Sequence, residues 1–233
     1  MNELPEKSVS VIVAAAGAGV RMRTDVRKPW LTLGDAPVVV HVLRRFAHLD
    51  ITREMILVVH PADLARAQAL REKFDSLRVT AGGEHRAASV RAGLELASNE
   101  TALIAVQDGV RPLVEEEVIR RTCKAAYESG AAIPVIPVRG TLKEVSTEPT
   151  ASGTARIVGT SSREDLYEAQ TPQVFRAELI RKAYAELDDT SVTDDAQVVE
   201  RSGGAVVAVP GSVRNIKITT PEDLELAEAL LSK

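Results

Sequence analysis

Val11-Ile12-Val13-Ala14-Ala15-Ala16-Gly17-Ala18-Gly19-Val20-Arg21-Met22, with Lys28 shortly after, decides how this chain reads. An apolar run passes into small residues and two glycines, and cations follow at once. Small side chains let backbone N–H groups approach an anion closely, and Arg21 and Lys28 supply fixed charge. Such a segment suits a nucleoside triphosphate. The dinucleotide fingerprint fails here, because Met22 stands where its third glycine belongs. The next strand ends Val58-Val59-His60-Pro61, with no acidic residue to hold a ribose. No Gly-Lys-Ser/Thr triplet opens a helix, so the P-loop fails too. Taken alone, the segment remains open between a tight turn and an anion-binding loop.

Working outward, apolar strands alternate with amphipathic helices. Strands are expected at 9–15, 54–60, 77–81, 102–107, 131–137 and 205–209, and helices at 37–48, 62–74, 85–97, 115–128, 176–187 and 193–202. In 85–97, Ala87, Val90, Leu94 and Ala97 share one face. Continuous Val/Ile/Leu runs between helices imply strands buried on both faces, hence a mostly parallel sheet between helical layers. Ligands in such sheets bind outside the carboxyl ends of the strands. Polar groups gather at those ends: Gly17, Gly19, Arg21 and Lys28 after the first, and Gly82-Gly83-Glu84-His85-Arg86 with Ser89 after the third. Asp108-Gly109-Val110-Arg111-Pro112 follows the fourth, and Arg139-Gly140-Thr141-Leu142-Lys143 the fifth. Asp108 suits a turn-capping role or, against phosphate oxygens, magnesium ligation; its place beside Arg111 at a strand end favours ligation.

Residues 139–165 break the alternation with two short runs around a turn-rich centre, the pattern of a projecting β-hairpin able to embrace a second subunit. At the other end of the chain Thr220, Pro221, Glu222 and Asp223 form a helix start, which leaves Lys217 unexplained.

The 233 residues fit one domain, and 45% hydrophobic with only 3% aromatic residues indicates an Ala/Val/Leu-packed core. A net charge of −4 argues against a general nucleic-acid binder. The single cysteine, Cys123, excludes an intrachain disulfide and falls in a helical pattern as a buried thiol. Glu3 and Glu6 precede the first apolar run, unlike the basic start of a signal peptide. No stretch approaches the ~20 apolar residues of a membrane span, and a cytoplasmic location is expected. Covalent catalysis has no support: there is no Gly-x-Ser-x-Gly elbow and no metal-type histidine spacing.

The ordered blocks Ala14 to Met22 with Lys28, Gly82 to Val90, Asp108 to Pro112, Pro137 to Lys143, Gln170 to Phe175, Thr193 to Ala196 and Asn215 to Thr219 make the resemblance specific. Together they resemble the 2-C-methyl-D-erythritol 4-phosphate cytidylyltransferases of the non-mevalonate isoprenoid pathway. The resemblance implies a Rossmann-like three-layer α/β/α nucleotidyltransferase fold of residues 1–233, with the β-hairpin arm at about 139–165 serving dimerisation. It implies cytidylyl transfer from CTP to methylerythritol phosphate, releasing pyrophosphate, with Mg²⁺ as cofactor. Ala14, Ala15, Ala16, Gly17 and Gly19 would hold CTP, and Gly83, Glu84 and Ser89 would read the cytosine. Arg21, Lys28 and Lys217 would be catalytic, and Asp108 the metal ligand. Arg111, Thr171 and Thr193 would lie at the acceptor phosphate, with Thr141 and Arg163 reaching it from the partner subunit of a homodimer. A cytidylyltransferase for another polyol phosphate, such as ribitol 5-phosphate, is the nearest rival; a non-catalytic nucleotide-binding protein is the rival from another class.

The chain departs from the family pattern in three places. Pro29-Trp30 stands for Gln and Tyr or Phe, Gln107-Asp108-Gly109-Val110 for His-Asp-Ala-Ala, and Gly140 for Asp.

Overall fold

The apolar run Val9–Ala15 is strand β1, in the middle of an eight-stranded sheet. The computed structural model describes residues 4–17, 26–146, 154–188 and 191–231. After β1 come β2 (Thr32–Leu33), β3 (Ala36–Pro37), α1 (Val38–Ala47), β4 (Thr52–Val59), α2 (Leu64–Gln68), β5 (Leu77–Ala81), α3 (Arg86–Leu96) and β6 (Leu103–Asp108). The second half continues with α4 (Glu116–Ser129), β7 (Ala131–Pro137), β8 (Leu142–Val145), β9 (Ile157–Ser161), β10 (Tyr167–Ala169) and β11 (Gln173–Arg176). It closes with α5 (Ala177–Ala185), α6 (Asp195–Arg201), β12 (Val207–Pro210) and α7 (Pro221–Leu231).

The sheet runs β10-β7-β11-β6-β1-β4-β5, with β12 also paired to β7. β1 pairs in parallel with β4 and β6, β4 with β5, and β7 with β12. The antiparallel members are β11, between β6 and β7, and β10, beside β7. Side chains alternate across β1 as the two-residue strand period requires. Val11, Val13 and Ala15 join one core with residues of α1, α2 and α4. Ile12 joins the other with residues of α3, α5 and α6. Burial on both faces explains the unbroken apolar runs and gives the expected three layers. The face of α3 carrying Ala87, Val90 and Leu94 is buried, as is Ala97 just beyond the helix end.

Residues 142–145 and 157–161 pair antiparallel, as the arm's pattern predicts. Two expectations need correction. The segment 62–74 is not one helix: a 3₁₀ turn at Pro61–Asp63, the short α2 and a second 3₁₀ turn at Ala69–Glu72 replace it. Its few apolar anchors explain this, since only Ala67 and Leu70 are buried there. The second correction is β11, which the sequence pattern does not reveal. Four residues, two of them polar, are too few to register a period, yet Gln173, Val174 and Phe175 are buried in the sheet.

Cys123 is fully buried, and burial pushes its thiol up to about 12, so it is a core side chain without thiolate character. Asp223 closes the N-terminus of α7 by accepting from the Thr219 and Thr220 amides at 2.8 and 2.9 Å, and its own N–H donates to Thr220 Oγ1 at 3.4 Å.

Candidate active site

Parallel pairing in register brings four strand ends together: Ala14 lies level with Val58 and Asp108, and Val59 with Ala81. The loops beyond those ends enclose a cavity of about 540 Å³. Ala14, Ala15, Ala16, Gly17, Lys28, Gly83, Glu84 and Ser89 all line it, together with His60, Arg86, Asp108 and Lys217. Arg21 and Gly19 lie outside the described residues.

Close packing fixes the loop over α3. A Cβ on Gly82 would stand 2.4 Å from Ala16 Cβ and 2.6 Å from Ser89 Oγ, and one on Gly83 would stand 2.5 Å from Ala88 Cβ. Only glycine lets this loop approach the helix so closely. Ser89 is buried, with its Oγ donating to the His85 carbonyl at 3.2 Å. Gly109 has a similar reason: a Cβ there would stand 2.8 Å from Ala15 Cβ. Lys28 opens a 3₁₀ turn in which Pro29 takes an early helical position and Trp30 enters the core. Arg66 stacks over the Trp30 ring at 4.5 Å, and Arg27 pairs with Asp63 at 3.2 Å. The unusual Pro29-Trp30 pair therefore ties the segment carrying Lys28 to the α2 region.

A smaller cavity of about 230 Å³ adjoins the first, lined by Arg111, Thr171, Gln173 and Thr193 among others. Arg86, Asp108 and Lys217 line both cavities. Asp108, at the end of β6, is the centre of the arrangement. Its Oδ2 meets Lys217 Nζ at 2.9 Å and Arg111 Nε at 3.2 Å, while Oδ1 faces Arg86 at 3.7 Å. Its backbone N–H donates to Thr171 Oγ1 at 3.1 Å. Arg111 is held in turn by the Asn215 carbonyl at 2.7 Å, and Asn215 Nδ2 donates to the Thr171 carbonyl at 2.8 Å. Blocks distant in sequence thus share one hydrogen-bonded wall.

Burial would raise the Asp108 pKa, but Lys217, Arg86 and Arg111 outweigh it and hold the carboxyl at about 2. The native pKa lies below the ordinary 3.8, so the carboxylate's stabilising contribution is complete above about pH 4. It is lost as pH falls through about 2. Turnover measured from pH 8 down to pH 5 is therefore expected to show no acid limb belonging to Asp108.

Thr141 and Arg163 line neither of these two cavities. Both are exposed at the base of the arm, where Arg163 donates to the Arg139 carbonyl. The sequence assigns no role to Arg86 or Asp195. Arg86 Nη1 contacts Asp195 Oδ2 at 2.7 Å, and Asp195 has no exposure at all. Both stand inside quoted motifs, but nothing in residue spacing reveals that they meet.

Among the described residues no three His, Cys, Asp or Glu side chains could hold a metal by themselves. One ionised carboxylate facing a nucleotide-sized cavity still fits Mg²⁺, which is usually bound by one or two carboxylates plus substrate phosphates and water. The three cations around Asp108 fit an ion that arrives with a triphosphate better than a bare one.

A family model described as IspD, 2-C-methyl-D-erythritol 4-phosphate cytidylyltransferase, matches residues 9–233. A protein of that name from Acidobacterium capsulatum is 45% identical over 230 residues, covering 94% of this chain and 95% of the relative. Its counterpart from Syntrophus aciditrophicus is 41% identical, covering 97% and 96%. The crystal structure of 2-C-methyl-D-erythritol 4-phosphate cytidylyltransferase from Thermus thermophilus superposes with a TM-score of 0.77 at 34% identity, covering 97% of this chain and 100% of that one. The 4-diphosphocytidyl-2C-methyl-D-erythritol synthase of Anaerococcus prevotii gives a TM-score of 0.81 at 30% identity, covering 97% of each.

Proposed function

We propose a division of labour within the site, starting from the premise that this chain belongs to the 2-C-methyl-D-erythritol 4-phosphate cytidylyltransferase family. As a member it transfers the cytidylyl group of CTP to 2-C-methyl-D-erythritol 4-phosphate, giving the CDP-alcohol and pyrophosphate. The larger cavity takes CTP. Ala14 to Gly17, with Gly19, cradle its phosphates, and Gly83, Glu84 and Ser89 meet the cytosine. The smaller cavity takes the acceptor phosphate against Arg111, Thr171 and Thr193. The observation that carries this assignment is the shared wall: Asp108 and Lys217 line both cavities, where the acceptor phosphate must meet the α-phosphate of CTP.

The nucleophile is a phosphate oxygen that is already anionic at neutral pH, so the chemistry needs no general base. The difficulty is bringing two anions together and stabilising charge that builds on the α-phosphate and the departing pyrophosphate. Fixed cations at Arg21, Lys28 and Lys217 answer that need during in-line attack. Asp108 would hold Mg²⁺, which when bound supplies further charge neutralisation on the phosphates. Lys217 and Arg111 keep Asp108 ionised until the nucleotide enters.

The arm is assigned to a homodimer interface, which brings Thr141 and Arg163 to the partner's acceptor pocket. Exposed apolar side chains support this: Val145, Ile157 and Val158 are 50%, 61% and 61% exposed. Ile157→Asp combined with Val158→Asp is expected to shift light scattering from dimer to monomer and to lower turnover. A monomeric wild type would remove the arm from the site. A cytoplasmic location belongs to the same proposal, since both substrates are charged metabolites that do not cross membranes unaided. No described helix is long and apolar enough to cross a membrane.

Titration calorimetry with CTP, UTP, ATP and NAD in the presence of Mg²⁺ tests the nucleotide assignment. CTP is expected to bind well above the others; NAD binding without CTP binding would overturn it.

A further inference from the structure

Asp195 is the most completely buried acidic side chain at the site, yet none of the roles above uses it. Burying a carboxylate is expensive unless it is paired and its remaining lone pairs are satisfied. Here Arg86 pairs the charge and a hydrogen bond satisfies Oδ1, while Oδ2 has the ion-pair contact without hydrogen-bond geometry. Oδ2 meets Arg86 Nη1 at 2.7 Å, and Oδ1 accepts from the Tyr184 hydroxyl at 2.6 Å. The backbone N–H groups of Asp195 and Ala196 donate to Gln173 Oε1 at 3.0 and 2.9 Å, and Gln173 Nε2 donates to Asp194 Oδ2 at 2.8 Å. Asp194 in turn caps α6 by accepting from the Gln197 N–H at 3.0 Å. Gln173 of β11 thus fixes the backbone that carries Asp195, Tyr184 of α5 holds its carboxylate, and among the described residues its cationic partner is Arg86. The other side of that guanidinium faces Asp108 Oδ1 at 3.7 Å, while Lys217 and Arg111 both take Oδ2.

Resting on the cytidylyl-transfer reading, we propose that Asp195 and Arg86 are positioning residues for that reaction. Asp195 clamps Arg86, and Arg86 holds the Oδ1 side of Asp108, fixing the plane in which this carboxylate faces the nucleotide and the metal. The planar fork of arginine presents fixed donors to two carboxylates at once, whereas lysine offers a compact charge whose donors rotate and fix no plane. Partners that orient a ligating carboxylate typically change metal affinity or activity by about 10- to 100-fold when removed. Asp195→Asn and Arg86→Lys are both expected to lower kcat about tenfold or more, with KM for either substrate within about threefold. Tyr184→Phe, which leaves the ion pair in place, is expected to give a smaller fall in the same direction.

The experiment combines these steady-state constants with Mn²⁺ binding followed by electron paramagnetic resonance in the presence of CTP. The variants are expected to bind Mn²⁺ about tenfold more weakly than wild type. Arg86→Lys remains informative if Asp195→Asn fails to fold, because the Arg86 side chain is 26% exposed and lies at the cavity edge. Unchanged Mn²⁺ affinity with wild-type kcat in folded Arg86→Lys would overturn the proposal. So would a rise of about tenfold or more in KM with kcat unchanged, which would make Arg86 a substrate ligand. Wild-type protein that turns over neither substrate would instead overturn the underlying reading, so the two failures are separable.

Discussion

Asp108→Asn is expected to lower kcat by roughly a hundredfold or more while leaving the protein folded. The expectation rests on what surrounds the carboxylate. Lys217, Arg111 and Arg86 converge on it, and it lines both cavities. Asparagine keeps the shape and can still accept a hydrogen bond, but it removes the charge that balances three cations. It also removes the ionised donor proposed to share a divalent ion with the triphosphate. The thermal midpoint is expected to fall by several degrees, because the cations then repel one another. Exposure of Lys217, whose side chain is 44% accessible, limits that loss through solvent screening. Circular dichroism and steady-state kinetics on the same sample check both parts. Near-wild-type turnover would remove Asp108 from the centre of the mechanism.

Lys28→Ala is the second large effect, with an expected loss of about a hundredfold or more in kcat, or roughly 3 kcal/mol of transition-state stabilisation. Lys28 sits on a short turn whose neighbours are anchored by Trp30, Arg66, Arg27 and Asp63, so its backbone is held in place whichever side chain is present. Removing the ammonium leaves Pro29 and Trp30 packed, and the thermal midpoint is expected to change little. Arg21→Ala is expected to give a loss of similar size, since the proposal gives it the same charge-stabilising role at the same phosphates. Single-turnover kinetics separate the chemical step from CTP binding. If only KM for CTP rises, Lys28 binds the ground state and does not stabilise the transition state.

Much of this architecture was legible because it rests on local chemistry. The β1, β5 and β7 boundaries match the apolar runs residue for residue, and α3 buries the face its spacing marks. The rule that ligands gather at strand ends points to Lys28, Ser89 and Asp108 from the sequence alone, and all three line the larger cavity. What escaped depends on tertiary contact. β11 is four residues long and stands as a strand only because β6 and β7 flank it. The 61–72 segment breaks into short turns because two buried anchors cannot propagate one helix. The meeting of Arg86 with Asp195 joins the first turn of α3 to the first turn of α6, and no periodicity encodes such a crossing. Departures from the family pattern became intelligible only in three dimensions. Gly109 makes room for the β1 backbone, and Trp30 gives Arg66 a surface to stack on. At Gly140 an added Cβ would meet nothing within 4 Å, so packing does not explain the glycine there.

The two adjoining cavities are proposed to bring CTP against the phosphate of methylerythritol, so that the protein transfers the cytidylyl group to that acceptor in preference to another polyol phosphate. The most direct test is turnover of purified wild-type protein with CTP and Mg²⁺, supplied side by side with 2-C-methyl-D-erythritol 4-phosphate and ribitol 5-phosphate, with pyrophosphate release and the CDP-alcohol both measured. Equal amounts of pyrophosphate and CDP-methylerythritol are expected, at a rate well above that with ribitol 5-phosphate. Faster transfer to ribitol 5-phosphate, or pyrophosphate released without a CDP-alcohol, would contradict the proposal.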